Sequence, residues 1–188
     1  PEFDLFVKEA VTEMTAKAGQ KCTAIRRVIA PEAMVGVLSE AIAAKLEKTV
    51  IGDPARKTTR MGALASAAQK RDVLQKLEML AGETRRICGD PEAFEVDGAD
   101  AEKGAFLPPM LLHCPDPDGA KNVHEVEAFG PVSTIMGYRD LAHASELMNR
   151  GGGSLVGSVI TNDPKVAREM AIASAAWHGR LYFNNRVS

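Results

Sequence analysis

SLVGSVITNDPKVAREMAIASAAWHGRLYFN, residues 154–184, decides the fold class. It reads as a strand over 154–161, a helix over 164–176 and a second strand over 179–184. That order makes the two strands parallel and the helix their crossover. The alternation recurs upstream. VSTIMGY at 132–138 is a strand, and LAHASELMN supplies a helix over 140–149. AIRRVIA at 24–30 alternates and is β-branched, which predicts a strand. Ala30-Pro31-Glu32 then opens a helix, because Pro suits a first turn and Glu suits the positive end of the dipole. Met34, Val37, Leu38, Ala41 and Lys45 mark its face. At the start, Phe3, Phe6, Val7, Ala10, Val11 and Met14 fall on one helical stripe, which Gly19 stops. The expectation is an α/β fold: an open, mostly parallel sheet with helices on both faces.

The middle of the chain is less regular. IGDPARKTTRMG at 51–62 is a loop, followed by a helix from Ala67 to Leu80 that Gly82 caps. TRRIC at 84–88 is a short strand and GDPEAFEVDGADAEKG at 89–104 a loop. FLPPMLLHC is extended, and Pro108 and Pro109 place it at a sheet edge or in a looser connection. A short turn of helix near 119–124 precedes the strand at 132. The chain has no internal repeat, low-complexity tract or composition break. It reads as one domain, 1–188.

The formal charge of −2 across 188 residues argues against an electrostatic nucleic-acid partner. The Arg pairs in RRV at 26–28 and TRR at 84–86 read as solvated edges. Cys22, Cys88 and Cys114 are widely spaced with no CxxC, and the four His are scattered, so no metal site is expected. Reduced thiols fit a cytoplasmic setting. No apolar run is long enough to span a membrane and no signal segment opens the chain. The chain starts without Met and inside an amphipathic pattern, which reads as a piece of a longer protein.

Cys22, in AGQKCTAIRRV at 18–28, follows a helix and a glycine. A thiolate there attacks carbonyl carbon close to backbone N–H donors. The competing reading is a small buried side chain, since free Cys is among the most buried residue types. Cys88 and Cys114 read as packing residues. In EVEAFGPV, 125–132, Phe129-Gly130-Pro131 forces a turn directly before a strand, where open α/β sheets bind ligands. Glu127 there could accept two vicinal hydroxyls, or be an ordinary solvated acid. GGGS at 151–154 follows a helix and precedes a strand. That is the reverse of a phosphate loop, so it reads as a helix exit. His178 reads as a partner of a helix C-terminus, and Asn184-Asn185 as a cap or site lining.

Taken in order, GQKCTAIRRV, IGDP, TTRMG, GAFLPPMLL, EAFGPV, GSLVGSVITND and GRLYFNN resemble the aldehyde dehydrogenase superfamily over essentially the whole chain. Within it, GQKCTAIRR looks most like the branch that oxidises CoA-linked semialdehydes after ring opening of phenylacetyl-CoA or benzoyl-CoA. Ala63 and Pro108-Pro109-Met110 depart from the family pattern. The resemblance implies that Cys22 is the catalytic thiol. It places Glu127 on the ribose of NAD or NADP, Phe129 beside the nicotinamide, and Gln69 at a second cofactor contact. It also implies a small aldehyde substrate, CoA-linked in that branch, a homo-oligomer, and a cofactor domain, general-base Glu and oxyanion Asn upstream of Pro1. Two rivals remain at this point: a non-catalytic α/β assembly or ligand-binding module with Cys22 buried, and a thiol acyltransferase or hydrolase using His113, His124, His143 or His178.

Overall fold

The computed structural model describes residues 2–185. Helix α1 (Phe3–Thr15) buries Val7, Ala10 and Met14, spaced so that one stripe faces inward. A 3-10 turn over Ala16–Gly19 follows, and strand β1 (Arg27–Pro31) begins only after an irregular stretch. The expected strand over 24–30 therefore starts three residues later, because residues 19–26 are committed to contacts described below. A 3-10 turn at Glu32–Met34 leads into α2 (Val35–Leu46), whose inner face is Leu38, Ile42, Ala43 and Leu46. Val37, expected on that face, is exposed, because the inward stripe runs through Leu38, Ile42 and Leu46 at four-residue spacing.

Helix α3 (Ala67–Ala81) starts at Ser66, whose side chain accepts from Gln69 N, and ends at Gly82. Strands β2 (Arg85–Cys88) and β3 (Met110–Cys114) follow, then the short α4 (Asn122–Glu125) and β4 (Val132–Tyr138). These strands form a four-stranded sheet in the order β1-β4-β3-β2. β4 lies between β1 and β3 and is parallel to both; β2 is the antiparallel edge.

Strand β3 is thus interior, not at an edge as its prolines suggested. Pro108 and Pro109 precede the ladder, so they forfeit none of its hydrogen bonds, and Met110 N donates to Pro131 O at 2.7 Å. Side chains of β3 and β4 alternate between two cores. Leu111 and Ile135 face α1 and α2. Met110, Leu112, Cys114, Val132 and Met136 face Val73 and Leu80 of α3. A parallel sheet needs both faces covered, and this one has both.

Helix α5 (Leu141–Asn149) is capped by Asp140, which accepts from His143 N, and Gly151, Gly152 and Gly153 carry the exit. Strand β5 (Ser154–Ile160), α6 (Pro164–Ser174) and β6 (His178–Asn184) complete the described chain. β5 and β6 pair in parallel, as the strand–helix–strand reading requires, but as a separate two-stranded sheet. The fold is α/β with mostly parallel pairing, divided between two sheets. His178 is the C-cap of the 3-10 turn over Ala175–Trp177 that continues α6, and it opens β6; its Nδ1 lies 2.8 Å from Ser154 Oγ.

Candidate active site

A left-handed turn delivers Cys22. Lys17 and Ala18 have φ of 54° and 53°, and Gly19 has φ of 68°. Each non-glycine residue in that region costs about 1–2 kcal/mol, so surrounding contacts must hold it. Gly19 abuts the 128–131 turn backbone to backbone: a Cβ there would stand 2.1 Å from Gly130 O and 2.8 Å from Pro131 Cα. Only glycine allows that approach. The next residue, Gln20, reaches three places. Its Nε2 lies 3.3 Å from both Gln69 Oε1 and Phe129 O, and its Oε1 accepts from Ala65 N at 2.8 Å. Lys21 Nζ pairs with Glu13 of α1 at 2.6 Å. Cys22 itself is exposed, whereas Cys88 and Cys114 are buried. That removes the rival in which Cys22 is packed inside. The Cys22 N–H has no backbone acceptor among the described residues, so it is free to donate to an anion.

Arg26 closes the loop. Its Nη2 donates to Gly19 O at 2.7 Å and Lys21 O at 3.4 Å, and its Nη1 donates to Gly130 O at 2.7 Å. Its Nε meets Glu127 Oε1 at 3.3 Å, and its Cζ lies 5.2 Å from the centroid of the Phe129 ring. Burial lowers the Arg26 pKa, and the Glu127 charge opposes that shift; an arginine stays charged regardless.

The solvated-edge reading of RRV is therefore wrong. Arg26 and Arg27 are largely buried, and a buried guanidinium must spend its donors on fixed acceptors. Arg27, the first residue of β1, does so at α5: it donates to Leu147 O at 2.7 Å and Met148 O at 3.1 Å, at that helix's C-terminal turn. Arg85 and Arg86 are exposed, as read.

Glu127, Phe129 and Gln69 come together around this loop: Gln20 touches Gln69 and Phe129, and Arg26 touches Glu127 and Phe129. Arg26 engages one Glu127 oxygen, and the side chain is 56% exposed. The other oxygen has no protein partner among the described residues, which suits a carboxylate that receives a diol. The residues present therefore fit the ribose side of a nicotinamide cofactor. Glu83 places this segment. Its carboxylate accepts from the N–H groups of Lys121, Asn122 and Val123, each at 3.0 Å, and so fixes α4 just ahead of Glu127. Desolvation pushes the Glu83 pKa up, but those backbone bonds together with nearby His124 bring it below the usual value.

The histidines are occupied elsewhere. His124 Nδ1 faces Arg27 at 3.1 Å and Nε2 faces Pro117 O at 2.9 Å, and burial lowers its pKa. His143 Nε2 bonds Asp118 at 3.0 Å. His113 Nδ1 accepts from Arg85 at 3.1 Å. With His178 on Ser154, none of the four is hydrogen-bonded to Cys22, so the Cys–His hydrolase rival has no pair to work with. Among the described residues no group of three His, Cys, Asp or Glu could hold a metal ion, and no helix is long and apolar enough to cross a membrane.

A profile described as the aldehyde dehydrogenase family matches residues 2–188. The chain belongs to the aldehyde dehydrogenase family. Among its curated relatives, the 3,4-dehydroadipyl-CoA semialdehyde dehydrogenase of Aromatoleum evansii is 43% identical over 181 residues, covering 96% of this chain and 35% of that protein. Protein MaoC of Klebsiella aerogenes is 42% identical over 129 residues, 68% of this chain and 37% of its own length. This aldehyde dehydrogenase chain thus spans about a third of the relatives it matches. The betaine aldehyde dehydrogenase of Staphylococcus aureus, solved in complex with NAD+, shares the fold with a TM-score of 0.88 and 23% identity, over 98% of this chain and 35% of that one.

Two residues of this family member escaped the sequence reading. Gln20 stood beside the thiol but its reach to three segments left no local trace. Arg26 left none either: the Arg85-Arg86 pair enters β2 in the same way, and both of its members are exposed.

Proposed function

We propose that residues 1–188 form the thiol-bearing catalytic domain of a longer NAD(P)-dependent aldehyde dehydrogenase. The proposed substrate is a CoA-linked semialdehyde from the breakdown of phenylacetate- or benzoate-type aromatic compounds. The observation that carries this reading is an exposed Cys22 on a strained loop hydrogen-bonded to the Glu127–Phe129 turn. The relative from Aromatoleum evansii supports the substrate class. The NAD+-bound neighbour supports a nicotinamide cofactor, either NAD or NADP. A cytoplasmic homo-oligomer is the setting proposed for the whole protein.

In this mechanism the Cys22 thiolate adds to the aldehyde carbon and the carbonyl oxygen becomes an oxyanion. The Cys22 N–H donates to that oxygen. Glu127 receives the ribose diol, and Phe129 and Gln69 border the cofactor. A bound oxidised nicotinamide would supply the acceptor for the hydride that leaves the aldehyde carbon. The carbon then remains on Cys22 as a thioester, which water cleaves to release the acid and restore the thiol. Splitting the oxidation into two covalent steps lowers each barrier. The activating base and a second oxyanion donor belong, in this proposal, to residues N-terminal to Pro1, so the 188 residues alone carry no turnover.

The test is oxidation of a CoA-linked semialdehyde by the full-length protein with NAD+ or NADP+. Cys22→Ala is expected to lower kcat by at least about 10³-fold. Retention of the rate by that variant, or steady turnover by the isolated 188 residues, would overturn the reading.

A further inference from the structure

The chemistry above gives Arg26 no part, yet this side chain touches both halves of the site. Two of its bonds reach the thiol loop, at Gly19 O and Lys21 O, and two reach the turn, at Gly130 O and Glu127 Oε1. Gly130 lies 104 positions from Arg26 in sequence, so no local constraint holds these segments together. Three of the four acceptors are backbone carbonyls, so the bonds fix the path of the chain itself. Arg26 is 18% exposed, which shields those bonds from water. The guanidinium is a rigid planar fork; a lysine ammonium on its flexible stem cannot span the same acceptors.

Two further features need such a fastener. Lys17 and Ala18 hold left-handed backbone that would relax if the loop came away from the turn. Glu127 carries a largely exposed side chain that would otherwise sample several rotamers. The pairing with Nε engages Oε1 and leaves the second oxygen without a protein partner among the described residues. The same guanidinium covers one side of the Phe129 ring.

We propose that Arg26 is the positioning residue of this site. It locks the Cys22 loop to the Glu127–Phe129 turn and orients the Glu127 carboxylate toward the ribose diol of the cofactor. The second half of this inference rests on the aldehyde dehydrogenase reading above; the first half does not.

The experiment uses the full-length protein and its Arg26→Gln, Arg26→Lys and Glu127→Gln variants. Hydrogen exchange is followed by mass spectrometry without cofactor. In Arg26→Gln, peptides spanning 19–25 and 127–131 are expected to exchange faster together, by about tenfold or more, while β3 and β4 keep their rates. Arg26→Lys restores only part of the protection. Glu127→Gln leaves both segments protected, because the three carbonyl bonds survive. In steady-state kinetics, Arg26→Gln raises the KM for oxidised cofactor about tenfold with kcat changed less than about threefold, as does Glu127→Gln. Loosening of one segment alone, a uniform rise across the sheet, or unchanged exchange would overturn the lock. An unchanged cofactor KM would overturn the orienting role. Should Arg26→Gln not fold, Arg26→Lys carries the same comparison. Full activity in Cys22→Ala would sink the functional reading while leaving the exchange result standing, so the two failures are separable.

Discussion

The three cysteines sit in two kinds of backbone. Cys88 and Cys114 end strands β2 and β3, Cys88 just past a register shift, with their sulfurs in the cores on the two faces of the sheet. Burial raises both thiol pKa values, which keeps them protonated and unreactive. Cys22 follows three consecutive left-handed residues and lies exposed. A strand sends alternate side chains into the core by its geometry alone. The strained loop exists only because Gln20, Arg26 and Gly19 tie it to a distant turn. The contrast separates a thiol used for packing from one that the fold spends strain to present.

That contrast can be broken most forcefully at Gly19. Gly19→Ala drives a Cβ into Gly130 O and Pro131 Cα. Denaturant melts are expected to show a loss of about 3 kcal/mol or more. A loss under 1 kcal/mol would mean the loop and turn are not locked. Next is the carboxylate that fixes the turn. Glu83→Gln should cost about 1 kcal/mol at neutral pH, the typical worth of a helix cap. The sign follows from a folded pKa that lies below the unfolded one. The stabilisation is fully present above the unfolded carboxylate range and fades as pH falls through the folded value, so wild type and variant should converge in acid melts.

Two smaller effects sharpen the comparison of thiols. Cys114→Ala, at a site 1% exposed, should destabilise by about 1 kcal/mol in the same melts. Cys22→Ala should change stability by less than about 0.5 kcal/mol, the range of surface substitutions, though it abolishes the proposed chemistry. Equal stability losses at both positions would erase the distinction between them.

The fold class was legible because strands and helices of this chain keep their own periods. The stretch 154–184 reads as strand, helix, strand, and the structure pairs its two strands in parallel. Which strands share a sheet was not legible. β4 and β5 adjoin in sequence but belong to different sheets, since β4 is already bordered by β1 and β3. Pro108 and Pro109 misled because a proline bars an interior strand only when it stands within the ladder, and here the ladder starts at Met110. At the candidate site, Cys22, Glu127 and Phe129 were legible through motifs. Arg26 and Gln20 were not, because their importance lies in acceptors about a hundred positions away.

The most direct measurement is the chemical state of Cys22 during oxidation. The full-length protein is mixed with a CoA-linked semialdehyde, quenched in acid and digested for mass spectrometry. The account predicts an acyl adduct on the Cys22 peptide that forms only when oxidised nicotinamide cofactor is present, with Cys88 and Cys114 unmodified. Oxidation of the aldehyde with no adduct on Cys22, or an acyl adduct that forms there equally without cofactor, would contradict it.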